Sequence, residues 1–125
     1  MRFPDKLDVL TIHARLIEET GGSSGLIDHG SLESALAAAE NRYNYENADV
    51  IACAATYAFH LTQAHAFVDG NKRIAAAISE VFLESNGFEL MMTNDEIVQL
   101  FMNIAAGRLN REDVEQQLRA TSRSK

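Results

Sequence analysis

Apolar residues recur at intervals of three and four along most of this chain, the spacing that lines one face of an α-helix. Leu7, Leu10, Ile12, Leu16 and Ile17 form a first stripe that stops at Gly21 and Gly22, and Leu32, Ala35, Leu36 and Ala39 form a second, shorter one. From residue 49 to about 63 nearly every side chain is apolar. A helix that is apolar all round is normally the buried centre of a bundle. Ile74, Ala77, Ile78, Val81 and Phe82 make a further stripe, closed by Asn86 and Gly87. Thr93 and Glu96 have the spacing of a capping box ahead of Ile97, Leu100, Phe101 and Ile104. Gly107 supplies the stop, and Asn110 can cap a last helix carrying Val114 and Leu118. The longest alternating run is FELMM, residues 88–92. The pattern therefore predicts an all-α fold, about six helices packed around one central buried helix, in a single domain over residues 1–125 whose tail, 120–125, is disordered.

Composition narrows the function classes. The chain has 125 residues, enough for one self-sufficient core without disulfide or structural metal. Its net charge of −7 opposes broad contact with nucleic acid or anionic lipid, so any phosphate chemistry must be local. Cys53 is the only cysteine and sits in the apolar run VIACAATYAF, where it reads as a small core residue of a reducing compartment. The N-terminal MRFPDKLDVL lacks the apolar centre of a signal peptide, and the longest apolar stretch, residues 50–59, is about half a membrane span. The expectation is a cytoplasmic protein.

Two segments do not read as helix, and loops on a rigid scaffold are where sites concentrate. One is the glycine-rich GGSSGLIDHG, residues 21–30; the other joins the apolar helix to the next and opens HAFVDGNKR, residues 65–73. Lys72 and Arg73 are the only basic residues between Arg42 and Arg108, an interval that holds eight acidic ones. They fall on the first turn of a helix, where unpaired N–H groups and the macrodipole already favour an anion. Asp69 beside them is a carboxylate of the kind Mg²⁺ takes when nucleotide phosphates supply its other ligands. His65 can accept a proton near neutral pH. Base, metal ligand and anion cradle within nine residues suit phosphoryl-type transfer. Each also has a plainer role: His65 as a helix-end hydrogen-bonder, Asn71 as an N-cap, Asp69 as a dipole partner, Lys72 and Arg73 as solvated surface. Phe67 reads as a core peg that fixes the loop. His13 lies within the first amphipathic helix. His60 and His65, five residues apart, do not share a helix face, and one cysteine makes no zinc set.

HAFVDGNKR resembles the signature of the Fic superfamily, and within it the Doc (death-on-curing) branch, the toxins of toxin–antitoxin pairs. The stretch GLIDHGSLESALA, residues 25–37, is similar to the region leading into the second helix of Doc-like proteins. The resemblance implies His65 as general base, Asp69 as Mg²⁺ ligand, Phe67 as structural anchor, and Gly70, Asn71, Lys72 and Arg73 as the phosphate cradle for ATP. It also implies that Gly25, Leu26, Ile27, Asp28, His29 and Gly30 form a flap that docks the target protein, by family translation elongation factor Tu.

Two positions depart from the broader Fic pattern. Lys72 stands where Fic AMP-transferases usually have Gly, and Ala76 where they have a second Arg. A long cation in the cradle and the loss of one phosphate clamp go, in Doc-like proteins, with ATP bound in the opposite sense and transfer of the γ-phosphoryl group. The resemblance thus implies a protein kinase, with an AMP-transferase or a non-catalytic nucleotide- or partner-binding relative as alternatives. The inhibitory motif [S/T]-x-x-x-E-[G/N] of self-restrained Fic proteins does not occur: Glu40-Asn41 follows Leu36 by four residues and Glu46-Asn47 follows Arg42. Restraint is therefore expected from an antitoxin protein whose disordered segment folds on this chain.

Overall fold

The computed structural model describes residues 1–125. Six helices run in chain order: α1 (Lys6–Thr20), α2 (His29–Glu46), α3 (Val50–Ala64), α4 (Asn71–Ser85), α5 (Asn94–Ala105) and α6 (Arg111–Thr121). The apolar helix α3 is the centre. Every residue from Ile51 to Ala58 is buried, and α2, α4, α5 and α6 pack around it. One continuous core carries side chains from all six helices, from Val9 through Phe82 to Leu118.

Local chemistry sets the helix ends. Asp5 and Asp8 close a capping box on α1, and Asp49 caps α3 through the Ala52 N–H at 2.9 Å. Thr93 and Glu96 exchange hydrogen bonds of 3.0 and 3.2 Å, and Asn110 and Asp113 do the same on α6. Such caps contribute about 1 kcal/mol each. Gly21 at φ 83° turns the chain out of α1.

Three expectations change. The four residues forming the second stripe are buried, but α2 is 18 residues long because its polar outer half also stays helical. The stripes on α1 and α4 are rotated: Leu7 is 71% exposed while Val9, His13 and Ile17 are buried, and Val81 is exposed while Ala75, Ser79 and Leu83 turn inward. The tail is not disordered. Helix α6 continues to Thr121, and β2 (Ser122–Ser124) pairs antiparallel with β1 (Phe88–Leu90), placing Phe88 opposite Ser124. The fold remains all-α with this one small ribbon.

Cys53 is fully buried with no exposed surface, and desolvation pushes its thiol up to about 11. It is a packing residue, as expected. No helix is long and apolar enough to cross a membrane.

Candidate functional site

Helix α3 ends at His65, whose backbone is left-handed (φ 47°, ψ 43°) and carries the chain sharply into the loop 65–70. Its side chain is exposed, and its imidazole makes no hydrogen bond within the protein. The loop then folds on a single asparagine. Asn71 Oδ1 accepts from the Phe67 N–H at 3.1 Å and Asn71 Nδ2 donates to the Phe67 carbonyl at 3.0 Å. Phe67 itself is buried, as a peg should be. Gly70, at φ 79° and ψ 20°, is the N-cap of α4 and offers no side-chain acceptor to the first turn.

That absence leaves the first turn of α4 open. The N–H groups of Gly70, Asn71, Lys72 and Arg73 have no partner in the protein; the first paired amide is Ile74, on the Gly70 carbonyl at 2.9 Å. A left-handed residue followed by helical ones points successive N–H groups into one concavity, a nest, and the helix dipole adds to it. Only the main-chain N–H of Asn71 is open to this concavity, because its amide side chain is committed to the loop. Lys72 is exposed and free of any ion pair. Arg73 is half committed: Nη1 donates to Thr20 Oγ1 and to the Gly21 carbonyl at 3.3 Å, capping the C-terminus of α1.

Asp69 stands at the lip of this nest. Its Oδ2 accepts the Ser23 N–H at 2.8 Å, and its Oδ1 has no protein partner. One carboxylate oxygen beside unpaired N–H groups fits a divalent cation whose remaining ligands come from phosphate and water. No group of three or more potential protein ligands exists to hold a metal alone. The residues present thus fit Mg²⁺ as a nucleotide-bound ion.

The segment expected as a flap divides. Gly25 to Asp28 run extended beside the loop: Leu26 bridges antiparallel to Phe67, the Val68 N–H donates to the Gly25 carbonyl at 3.1 Å, and the Ile27 and Asp28 N–H groups donate to the Ala66 carbonyl at 2.8 and 3.1 Å. His29 and Gly30 are not part of this extended run. They form the first turn of α2, because Asp28 caps that helix by accepting from the Ser31 N–H and hydroxyl, which also holds its carboxyl below the usual range. His29 Nδ1 instead accepts from Lys6 Nζ at 2.9 Å. Glycine-rich as it is, the segment is held in place by its hydrogen bonds to the loop.

His13, legible in the sequence only as a residue of the first amphipathic helix, joins the site in the fold. It is buried on α1, its ring stacks on Phe67 with centroids 3.8 Å apart and planes 16° apart, and its Nε2 donates to the Asp69 carbonyl at 2.7 Å. The signal is its place in the i, i+4 series Val9, His13, Ile17, a polar side chain at a core position.

Ala76 and Lys72 line a groove of about 590 Å³ between α1, α4 and α5, walled by Leu16, Ile97, Phe101 and Met102. The half-buried Glu80 sits within it, its carboxyl pushed up by desolvation and by Glu84.

The model of the Fic/DOC family matches residues 3–83, which contain the loop, the nest, the extended segment 25–28 and His13. The chain is also 29% identical over 120 residues to the protein kinase doc of Escherichia phage P1, an alignment covering 95% of this chain and 94% of that protein.

Proposed function

The chain belongs to the Fic/DOC family, and on that premise we propose that it is a Doc-like toxin, a transferase that moves the γ-phosphoryl group of Mg-ATP to a hydroxyl side chain of a protein. The target, by resemblance, is translation elongation factor Tu, and the outcome is arrested translation in the cytoplasm. The observation that carries this reading is the nest at residues 70–73, with the free Oδ1 of Asp69 at its lip and Lys72 unpaired above it.

In this reading the nest and Lys72 receive the terminal phosphates. Bound through Asp69, Mg²⁺ would neutralise phosphate charge and polarise the γ-phosphorus. His65 takes the proton of the attacking hydroxyl, whose oxygen bonds to the γ-phosphorus as the bond to the β-bridging oxygen breaks and ADP leaves. The extended segment 25–28 presents a main-chain edge beside the nest, where a target peptide is held. Phe67 anchors the loop.

Ala76 supports phosphoryl over adenylyl transfer, since at that turn of α4 the groove wall has a methyl group where a second guanidinium would clamp a differently oriented nucleotide. The apolar groove beginning at Lys72 is the surface we assign to the antitoxin: a disordered segment folding there as an amphipathic helix would cover the cradle's mouth. Mass spectrometry of elongation factor Tu after incubation with the protein and Mg-ATP tests the reading. An added phosphate supports it, an added adenylate replaces it with the AMP-transferase, and nucleotide binding without any adduct replaces it with a non-catalytic relative.

A further inference from the structure

We propose that His13 is a positioning residue whose hydrogen bond to the Asp69 carbonyl sets the Asp69–Gly70 peptide in the orientation that makes the nest. The inference rests on the nucleotide reading above for its consequence, and on geometry alone for its cause. A trans peptide holds its C=O and N–H on opposite sides. Because His13 Nε2 draws the Asp69 carbonyl toward α1 at 2.7 Å, the Gly70 N–H of the same peptide must point away from α1, where no protein acceptor meets it. Turning that peptide over would withdraw one of the four unpaired donors and shift the carboxylate-bearing residue beside it.

Three observations fix His13 to this role. Its ring is 3% exposed and stacked on Phe67, so neither orientation nor distance is free to drift. A Cβ on Gly70 would lie 3.3 Å from His13 Nε2 and 3.1 Å from Ile17 Cδ1, so the side chains of these two α1 residues pack directly against the Gly70 main chain. Gly70 sits at φ 79°, a conformation that needs outside support to be the single one populated. His13 and Ile17, one turn apart on α1, supply it.

Two variants separate position from mere packing. His13→Leu keeps an apolar side chain against Phe67 and loses the donor; His13→Gln keeps an N–H donor at about the reach of Nε2. Calorimetric titration with Mg-ATP is expected to show about tenfold weaker binding for His13→Leu, the size of one hydrogen bond to a charged group, with Gln within about threefold of the parent. The amide resonances of Gly70 and Ser23 in the free proteins are expected to move in Leu and return in Gln. Equal binding by folded His13→Leu, or equal damage in both variants, overturns the proposal. Should the parent itself fail to bind Mg-ATP, the nucleotide reading falls, and the free-protein resonances decide: unchanged Gly70 and Ser23 signals in His13→Leu overturn the role of His13, and shifted signals restored by Gln uphold it.

Discussion

Asn71 holds Phe67 by both main-chain groups, accepting its N–H at 3.1 Å and donating to its carbonyl at 3.0 Å. The side chain of the first residue of α4 thus reaches back over the loop that precedes it and closes it like a clasp. This assigns Asn71 a structural task that its place at the start of α4 conceals.

Asn71→Ala removes both bonds and leaves two main-chain groups of a part-buried loop without partners, a cost of about 1–3 kcal/mol. The loss falls on the loop and not on the α3 core. Hydrogen exchange should show faster Phe67 and Val68 amides with α3 still protected, and phosphoryl transfer should drop at least a hundredfold. Asn71→Asp, which keeps only the acceptor, is expected to lie between.

Gly70→Ala meets two obstacles. The φ of 79° disfavours any side chain, and the new methyl group would approach Ile17 Cδ1 at 3.1 Å. Backbone strain of this kind costs about 1–3 kcal/mol. Thermal unfolding is expected to fall accordingly, with nucleotide binding weakened more than the stability loss alone would explain, since the nest itself must deform.

His60 is half-buried on α3 with its Nε2 lacking a partner, and desolvation, then the charges of Arg111 and Arg42, hold its imidazole below the ordinary value. The unfolded chain therefore takes up this proton at higher pH than the folded one. Stability is full above about pH 6.5, the unfolded value, and declines as pH falls from there through the lower folded value. Denaturant titrations between pH 7.5 and 5 should show this decline in the parent and a flatter profile in His60→Gln.

Tyr57 is fully buried, edge-on to Phe82 with centroids 5.1 Å apart, and its hydroxyl has no hydrogen-bond partner. Desolvation raises its phenol well above the ordinary range. Tyr57→Phe removes an unpaired polar atom while keeping the ring, and should raise stability by about 1 kcal/mol, or roughly 4 °C in Tm.

The capping residues show why so much of the fold is legible in the sequence. Thr93 with Glu96 and Asn110 with its helix are local arrangements, decided within four residues, and they stand where the pattern places them. The burial of α3 is equally legible, since an unbroken apolar run has one physical outcome. Phase and distance are harder. Leu7 and Val81 belong to their stripes by spacing, yet the neighbouring helices turn both toward solvent. Strand β2 forms because Ser122 to Ser124 meet Phe88 to Leu90, some 34 residues earlier, a pairing no local pattern encodes. At the candidate site the motif residues are visible as a string, and so is the helix start with its unpaired N–H groups. The tie from His13 to Asp69 spans 56 residues and depends on α1 lying across α4, which only the assembled fold supplies.

The central claim is that the nest and Asp69 present the γ-phosphoryl group, not the α-phosphoryl group, to a protein hydroxyl activated by His65. Parallel incubations of elongation factor Tu with the protein, Mg²⁺ and ATP labelled at either the γ- or the α-phosphate test it most directly. Label is expected on the target from γ-labelled ATP alone, and none with His65→Ala. Label from α-labelled ATP, or undiminished labelling by His65→Ala, would contradict the claim.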